Sequence, residues 1–175
     1  MPSYVALLHS IVLGPGRRLV MADLKAMATE LGFGNPRTWV ATGNLVFDGD
    51  DAPVEEIESR LETAFCARFG KHVDIILRRA PAWRRLAAQN PFPNANGAHV
   101  GIRVMRRPLG PDVLPRLDQI AAPGMSLALV DGDLWIDFAG EPSEAKLLSH
   151  LTTPKLGVGT LRNANTVRAL AAMLD

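Results

Sequence analysis

The chain has 175 residues, of which 47% are hydrophobic and 21% charged, so it is long enough to bury a core and is not expected to be disordered. Its 19 basic and 18 acidic residues give a formal net charge of +1, which excludes a global attraction to nucleic acid or to an anionic membrane. Cys66 is the only cysteine, which excludes internal disulfides and thiolate metal clusters and indicates a reducing, cytoplasmic location.

The first predicted elements are a buried strand and an amphipathic helix. The run from Tyr4 to Leu13 is apolar except for His9 and Ser10, which predicts a strand that is buried on both faces. Apolar residues then recur at helical spacing from Met21 to Leu31. We therefore expect a strand followed directly by a turn and a helix.

The turn between these two elements is a candidate anion site. Gly14 and Gly16 can expose backbone N–H groups near the start of a helix, and Arg17 and Arg18 would add charged contacts. However, Pro15 removes one donor, and the spacing fits no phosphate-binding motif. A structural corner and an anion-binding loop both remain open.

The rest of the first half predicts two short strands, a helix and a third strand. Thr38–Ala41 and Leu45–Phe47 favour strands, joined by a turn at residues 42–44. An acidic first turn after Pro53 indicates a helix start, and His72–Leu77 reads as a strand. The resulting order is β-α-β-β-α-β, which is typical of a ferredoxin-like unit.

The second half partly repeats this order. It predicts a helix at Pro81–Asn90, a strand at His99–Met105, a helical segment at Asp112–Ile120, a hairpin of Leu127–Val130 and Leu134–Phe138, and helices at Ser143–His150 and Asn165–Leu174. The predicted fold is thus α+β, with two ferredoxin-like subdomains packed side by side over residues 1–78 and 79–175. The second subdomain is irregular and has an extra C-terminal helix.

Four segments carry a family resemblance. They are VALLHSIVLGPG near the start, ATGNLVF at Ala41–Phe47, NPFP at Asn90–Pro93 and LRNANTV at Leu161–Val167. Together they resemble the bacterial domain-of-unknown-function family 1697. The resemblance implies two ferredoxin-like subdomains and no established activity.

The chain departs from the usual pattern of that family at five positions. His9, Ser10 and Val12 stand where the family typically has Arg, Gly and Asn, and Leu161 and Ala164 stand where it has Thr and Trp. The candidate site residues that the resemblance carries over are Gly43, Asn44, Arg162, Asn163, Asn165 and Thr166.

The polar group near the C-terminus has two readings. Asn163 or Asn165 can cap the final helix, which would explain one of them structurally. Together with Arg162 and Thr166, they would also suit a phosphate or carboxylate at a helix N-terminus. The sequence favours neither reading.

A basic stretch offers an alternative function. Between Arg78 and Arg107 there are seven arginines and no acidic residue, whereas Asp48–Glu62 carries seven acidic residues and one arginine. The stretch predicts either a solvated face that neutralises the acidic helix, or single-stranded nucleic-acid binding. The residues for the second reading are Arg78, Arg79, Trp83, Arg84, Arg85, Arg106 and Arg107.

Metal and catalytic motifs are weak. His9, His72, His99 and His150 form no pair with metal-ligand spacing, so no metal site and no cofactor are expected. No nucleophile motif is present, and whether the protein is an enzyme stays undecided. His9, which we expect within a buried strand, is the one candidate for a catalytic base.

These observations favour a small anionic ligand, bearing phosphate or carboxylate, in a cleft between the subdomains. Single-stranded nucleic-acid binding and a non-catalytic protein-interaction module or dimer remain alternatives. No apolar stretch reaches the ~18 residues that a membrane span requires, so no membrane partner is expected.

Overall fold

A computed structural model describes residues 1–174, and within them ten strands and six α-helices form a mixed α+β fold with antiparallel sheets. The chain divides into two compact units, one made of residues 1–84 with the chain from 169 onwards, the other of residues 85–168. Within the described range, none of the helices has the length and apolar character that crossing a membrane requires.

The first unit is built on a four-stranded sheet. Its elements are β1 (Ser3–Leu8), β2 (Val12–Gly14), β3 (Arg17–Arg18), α1 (Met21–Glu30), β4 (Gly34–Thr38), β5 (Asn44–Asp48), α2 (Val54–Phe69) and β6 (Ile75–Arg79), followed by α3 (Ala80–Ala88). The sheet has the order β4-β5-β1-β6, and every neighbouring pair is antiparallel. The strands β2 and β3 form a separate two-stranded ribbon.

The core of this unit lies between one face of the sheet and the two helices. Tyr4, Ala6 and Leu8 alternate along β1, and they belong to the same buried cluster as Leu24 of α1 and Leu61 of α2. Each large apolar side chain buried there contributes about 1.5–3 kcal/mol. The helices are therefore held to the sheet mainly by this shared apolar layer.

The outer edge of the sheet is bonded to α2. Because β6 is an edge strand, some of its backbone N–H groups have no neighbouring strand. The N–H of Leu77 donates to Glu58 Oε2 (2.9 Å), and the N–H of Ile75 donates to Glu62 Oε2 (3.0 Å). Two carboxylates one helical turn apart thus satisfy two donors of the edge strand.

The second unit contains another four-stranded antiparallel sheet. Its elements are β7 (Val100–Met105), α4 (Val113–Asp118), β8 (Ser126–Val130), β9 (Asp133–Asp137), α5 (Thr153–Leu156), β10 (Gly159–Asn163) and α6 (Ala164–Ala172). The sheet has the order β10-β7-β9-β8. Leu134, Ile136 and Phe138 share a buried cluster with Val113 and Leu117 of α4.

The predicted strand from Tyr4 to Leu13 is wrong in its second half. The strand β5 begins at Asn44, which pairs with Leu7, so β1 has no partner on that side further along. It ends at Leu8, and the chain then enters the β2–β3 ribbon. His9 is accordingly exposed rather than inside a buried strand.

Two other predictions need correction, and one strand was missed. The strand predicted at Thr38–Ala41 lies earlier, at Gly34–Thr38, and residues 40–42 form a 3-10 turn. Pro36 is tolerated in this strand because β4 is at the edge of the sheet. The helix predicted at Ser143–His150 is two short 3-10 helices. The strand β10, which completes the second sheet, was not predicted.

Candidate functional site

The glycine-rich turn of the first unit is a ribbon rather than a cradle at a helix start. Gly16 has φ +68° and turns the chain so that Gly14 pairs with Arg17, and both Arg17 and Arg18 are exposed. The helix begins only at Met21. The prediction that the helix follows the turn directly is therefore wrong. Anion binding by these glycines and arginines stays a prediction.

The turn that contains Gly43 and Asn44 is held by internal hydrogen bonds. The N–H of Leu8 donates to the carbonyl of Gly43 (2.9 Å), which anchors the turn to the end of β1. Asn44 is 0% exposed, and its Nδ2 donates to Trp39 O (3.0 Å) and to Thr42 Oγ1 (2.7 Å). These contacts give Asn44 a structural role in the turn, and a ligand-binding role stays a prediction.

The second predicted group, at the start of α6, contains a helix cap and an exposed asparagine. Asn163 Oδ1 accepts the N–H of Thr166 (2.8 Å), so Asn163 is the cap of the helix. Asn165 is exposed, and its Oδ1 accepts a hydrogen bond from Arg168 Nη2 (2.6 Å). The N–H of Ala164 donates to Gly97 O (3.2 Å), which ties the helix to the loop before β7.

Arg162 lies on the strand just before this helix. Its Nη1 donates to Thr160 Oγ1 (2.8 Å) and to Leu161 O (2.9 Å). Burial lowers the pKa of the Arg162 guanidinium to about 10. The side chain thus stays positively charged at neutral pH, although it is largely withdrawn from water.

A pocket of about 160 Å³ lies in the second unit, between the loop after α3 and the start of α6. Asn90 Oδ1 accepts the N–H of Phe92 (2.8 Å) and Asn96 Oδ1 accepts the N–H of Ala98 (3.0 Å), so two asparagines fold the loop by local hydrogen bonds. The pocket is lined by Ala87, Ala88, Asn90, Pro93, Ala95, Gly97, Trp135, Ala164, Val167 and Arg168. Two of the four family-like segments thus meet at one pocket.

The polar groups of this pocket are mostly hydrogen-bond donors. Arg168 supplies a guanidinium, oriented by Asn165 as described above. Trp135 also lines the pocket and is 1% exposed, and its Nε1 has no hydrogen-bond partner within residues 1–174. A Cβ atom on Gly97 would overlap Asn165 Oδ1, so a larger residue there would require the Asn165 side chain to move from the position in which it contacts Arg168.

The basic stretch is only partly available to a polyanion. Trp83 is 0% exposed, so its ring cannot stack on a base in this conformation, and the stacking role predicted for it is wrong. Arg79 Nη1 bonds to Asp51 Oδ1 at 2.8 Å, which agrees with neutralisation of the acidic segment. Two further arginines are engaged, Arg84 with Leu174 O and Arg85 with Asp131.

The other arginines of the stretch lie in different surroundings. Arg103 is buried, donates to Leu151 O (3.0 Å) and Gly157 O (2.9 Å), and has a pKa lowered by burial. Arg106 and Arg107 line a second pocket of about 380 Å³. Nucleic-acid binding by Arg78, Arg106 and Arg107 stays a prediction.

One group of side chains in the first unit has the composition of a metal site. Glu62, His72 and Asp74 each offer a ligand atom, and these atoms lie within 4.8 Å of one another. This group was not predicted, because it contains neither a histidine pair nor a thiolate. The three residues come from a helix and from the segment that follows it, so their spacing matches no linear motif.

The residues of the 160 Å³ pocket were also partly missed. Asn90 and Pro93 belong to a segment that the family resemblance singled out, but nothing in the sequence connects that segment to α6. Arg168 was overlooked because it lies beyond the polar residues that start the helix. Trp135 lies between the buried residues Leu134 and Ile136 of β9, so in the sequence it looks like an ordinary core residue.

Comparisons with known proteins give the fold and a family without an activity. A family model described as a protein of unknown function (DUF1697) matches residues 1–135. The solved structure of the conserved bacterial protein SP0830 from Streptococcus pneumoniae is similar, with a TM-score of 0.76 and 23% identity over 99% of this chain and 99% of that chain. No protein with a curated description matches the chain.

Proposed function

Because the chain belongs to the DUF1697 family, which is described as a family of unknown function, we propose a function from the structure: the 160 Å³ pocket of the second unit binds a small anionic ligand. The ligand carries a phosphate or carboxylate group. The observation that carries the proposal is the placement of the Arg168 guanidinium, fixed by Asn165, beside the start of α6 in one pocket.

The hydrogen-bond pattern around the pocket favours an acceptor-rich ligand. Asn90 and Asn165 each use the side-chain oxygen to accept a bond from within the protein. Of these two residues, Asn90 lines the pocket, and what its amide presents to a ligand is therefore the NH₂ group, which donates. Together with the guanidinium of Arg168, this amide gives the pocket groups that donate hydrogen bonds.

The size of the pocket restricts the ligand. Sites for drug-sized ligands have volumes of about 300–1,000 Å³, so a pocket of about 160 Å³ suits one anionic group with a small attached body. The lining of Ala87, Ala164 and Val167 would contact that body. A large cofactor is not proposed.

The strand orders support a more specific description of the two units. In each four-stranded sheet, the first strand of the unit pairs with the third and the fourth, and the second strand lies at the edge beside the third. This is the order of a split β-α-β unit. We accordingly propose that both units are ferredoxin-like.

We also propose that the protein is cytoplasmic, because a chain with a single cysteine suits a reducing compartment.

Isothermal titration calorimetry with inorganic phosphate and with acetate tests the proposed site. We expect measurable binding of at least one of them, and loss of that binding in Arg168→Ala. The matched control is Arg116→Ala, which removes an exposed arginine from α4 of the same unit and should leave the affinity unchanged.

Tryptophan fluorescence gives a second readout that reports on the same pocket. In the Trp39→Phe background, the exposed indole is removed and Trp83 and Trp135 remain. Ligand binding should then change the emission, because Trp135 lines the pocket. Equal binding by wild type and Arg168→Ala, or the absence of binding by any of the anions, would refute the proposal.

A further inference from the structure

We propose that Glu62, His72 and Asp74 form a site for one divalent transition-metal ion, for which Zn²⁺ is the best fit. Glu62 projects from α2, while His72 and Asp74 lie in the segment between α2 and β6. All three residues belong to the first unit, so this site is separate from the anion pocket and does not depend on it.

The distances suit coordination of a single small ion. Zn²⁺ binds imidazole nitrogen at about 2.0–2.1 Å and carboxylate oxygen at about 2.0–2.2 Å, so two ligand atoms on one ion lie roughly 3–3.5 Å apart. His72 Nε2 and Asp74 Oδ1 are 3.0 Å apart, which already meets this condition. The ligand atom of Glu62 lies within 4.8 Å of both, so a small adjustment of the three side chains is enough for one ion to contact all of them.

Hydrogen bonds with the backbone hold two of these residues in position. Asp74 O accepts the N–H of His9 (2.9 Å), which fixes the Asp74 backbone to the end of β1. Glu62 Oε2 accepts the N–H of Ile75 (3.0 Å). A carboxylate has about four acceptor positions, so a bond to one backbone N–H is compatible with coordination of a cation by the same group.

The turn after α2 explains how His72 approaches the helix. Gly70 adopts φ +74°, and its N–H donates to Cys66 O (2.9 Å), which ends the helix in a left-handed cap. The chain therefore reverses within a few residues. His72 and Asp74 are carried back beside the last turns of α2, where Glu62 lies.

The chemistry of the ligand set selects the class of metal. One imidazole and two carboxylates, with no thiolate, favour Zn²⁺ or a neighbouring divalent transition metal over Cu⁺, and the imidazole disfavours Mg²⁺ and Ca²⁺. The two carboxylates balance the charge of a divalent ion. The nearby ammonium of Lys71 donates to Val12 O at 2.7 Å, so it is directed to the ribbon.

The site is open to solvent on one side. The side chain of His72 is 62% exposed and that of Asp74 is 25% exposed, so an ion reaches them without rearrangement of the core. Three protein ligands leave a fourth position of a tetrahedral ion for water. The arrangement is that of an open rather than a closed metal site.

Calorimetric titration of the chelator-treated, full-length protein with Zn²⁺ tests this site. We expect one ion per chain and a loss of affinity of at least about 100-fold in His72→Ala, since loss of even an outer-shell partner costs about 10–100-fold. Co²⁺ provides a spectroscopic check, because its visible absorption reports on coordination by the protein and should disappear in the same variant.

Two control variants separate this site from other ligands. His99→Ala removes a histidine of the second unit that is only 29% exposed and lies 3.4 Å from Glu141, and it should bind Zn²⁺ as wild type does. Cys66→Ser removes the exposed thiol and should also bind normally. The proposal is overturned if wild type binds no Zn²⁺, if His72→Ala binds as tightly as wild type, or if Cys66→Ser abolishes binding.

Discussion

Two polar segments that resemble the family pattern play different parts in the molecule. In the first unit, Asn44 is fully buried, and its amide donates both to Trp39 O and to Thr42 Oγ1. In the second unit, Asn163 caps a helix, while Asn165 is exposed and holds Arg168 beside a pocket. Asparagines at element ends thus serve a turn, a cap and a candidate binding site.

The difference shows how such residues can be sorted. A polar side chain that is buried and hydrogen-bonded within its own turn contributes to stability. Its removal should therefore lower the free energy of unfolding. A polar side chain that is exposed and orients a charged neighbour contributes little to stability. Its removal should instead lower the affinity for the ligand.

The largest expected effect is at the buried turn, in Gly43→Ala. A Cβ atom there would lie 2.9 Å from Leu8 Cβ and 3.1 Å from Ile11 Cγ2, and the residue has φ +84°. Overpacking together with the left-handed backbone should lower the free energy of unfolding by about 3 kcal/mol.

Urea denaturation measures this loss, and Gly70→Ala is its matched control. Gly70 also has a positive φ, at +74°, but nothing lies within 4 Å of a Cβ atom there. The control should lose only about 1 kcal/mol, from the backbone alone. Equal losses in the two variants would show that the approach of Gly43 to β1 is not what makes the glycine necessary.

An intermediate effect is expected for Asn44→Ala. The substitution removes the side-chain amide that donates a hydrogen bond to the carbonyl of Trp39. We expect the free energy of unfolding to fall by about 2 kcal/mol, because the buried amide loses two hydrogen bonds that each contribute about 1 kcal/mol. Thermal or urea denaturation measures this loss of stability. A loss smaller than that caused by substitution of an exposed polar residue would contradict the structural role of Asn44.

The smallest effect on stability is expected at the start of α6, where two neighbouring asparagines provide a matched pair. Asn163→Ala removes a helix cap and should cost about 1 kcal/mol. Asn165→Ala should change stability by no more than about 0.5 kcal/mol, but it should weaken anion binding because Arg168 loses its partner. Denaturation and calorimetry on the same two variants separate these outcomes. The division of roles would be contradicted if Asn165→Ala lost more stability than Asn163→Ala, or if Asn163→Ala weakened anion binding more than Asn165→Ala.

Much of the secondary structure could be predicted from the sequence. Alternating or continuous apolar runs identified β1, β7 and the β8–β9 hairpin, because burial imposes a clear period on these strands. The strand β10 was missed because its sequence, GTLRN, has no such period. The end of β1 was missed because it depends on where β5 begins, which local sequence does not encode.

The candidate sites were less predictable, for a related reason. The cap formed by Asn163 is a local interaction, and the sequence already placed it among two candidates. The pocket depends on the loop at residues 90–97 meeting α6, and the metal group depends on a helix cap returning the chain to Glu62. Both are consequences of tertiary packing between segments that share no linear motif.

The two glutamates of α2 have an effect beyond holding the helix to its strand. An open sheet edge with unpaired N–H groups is a template on which a strand of another molecule can add, and it is a common start of aggregation. Glu58 and Glu62 occupy the donors of Leu77 and Ile75, so an approaching strand would find these positions taken and would meet negative charge. The same carboxylates that complete the first unit therefore disfavour the addition of a further strand at the β6 edge.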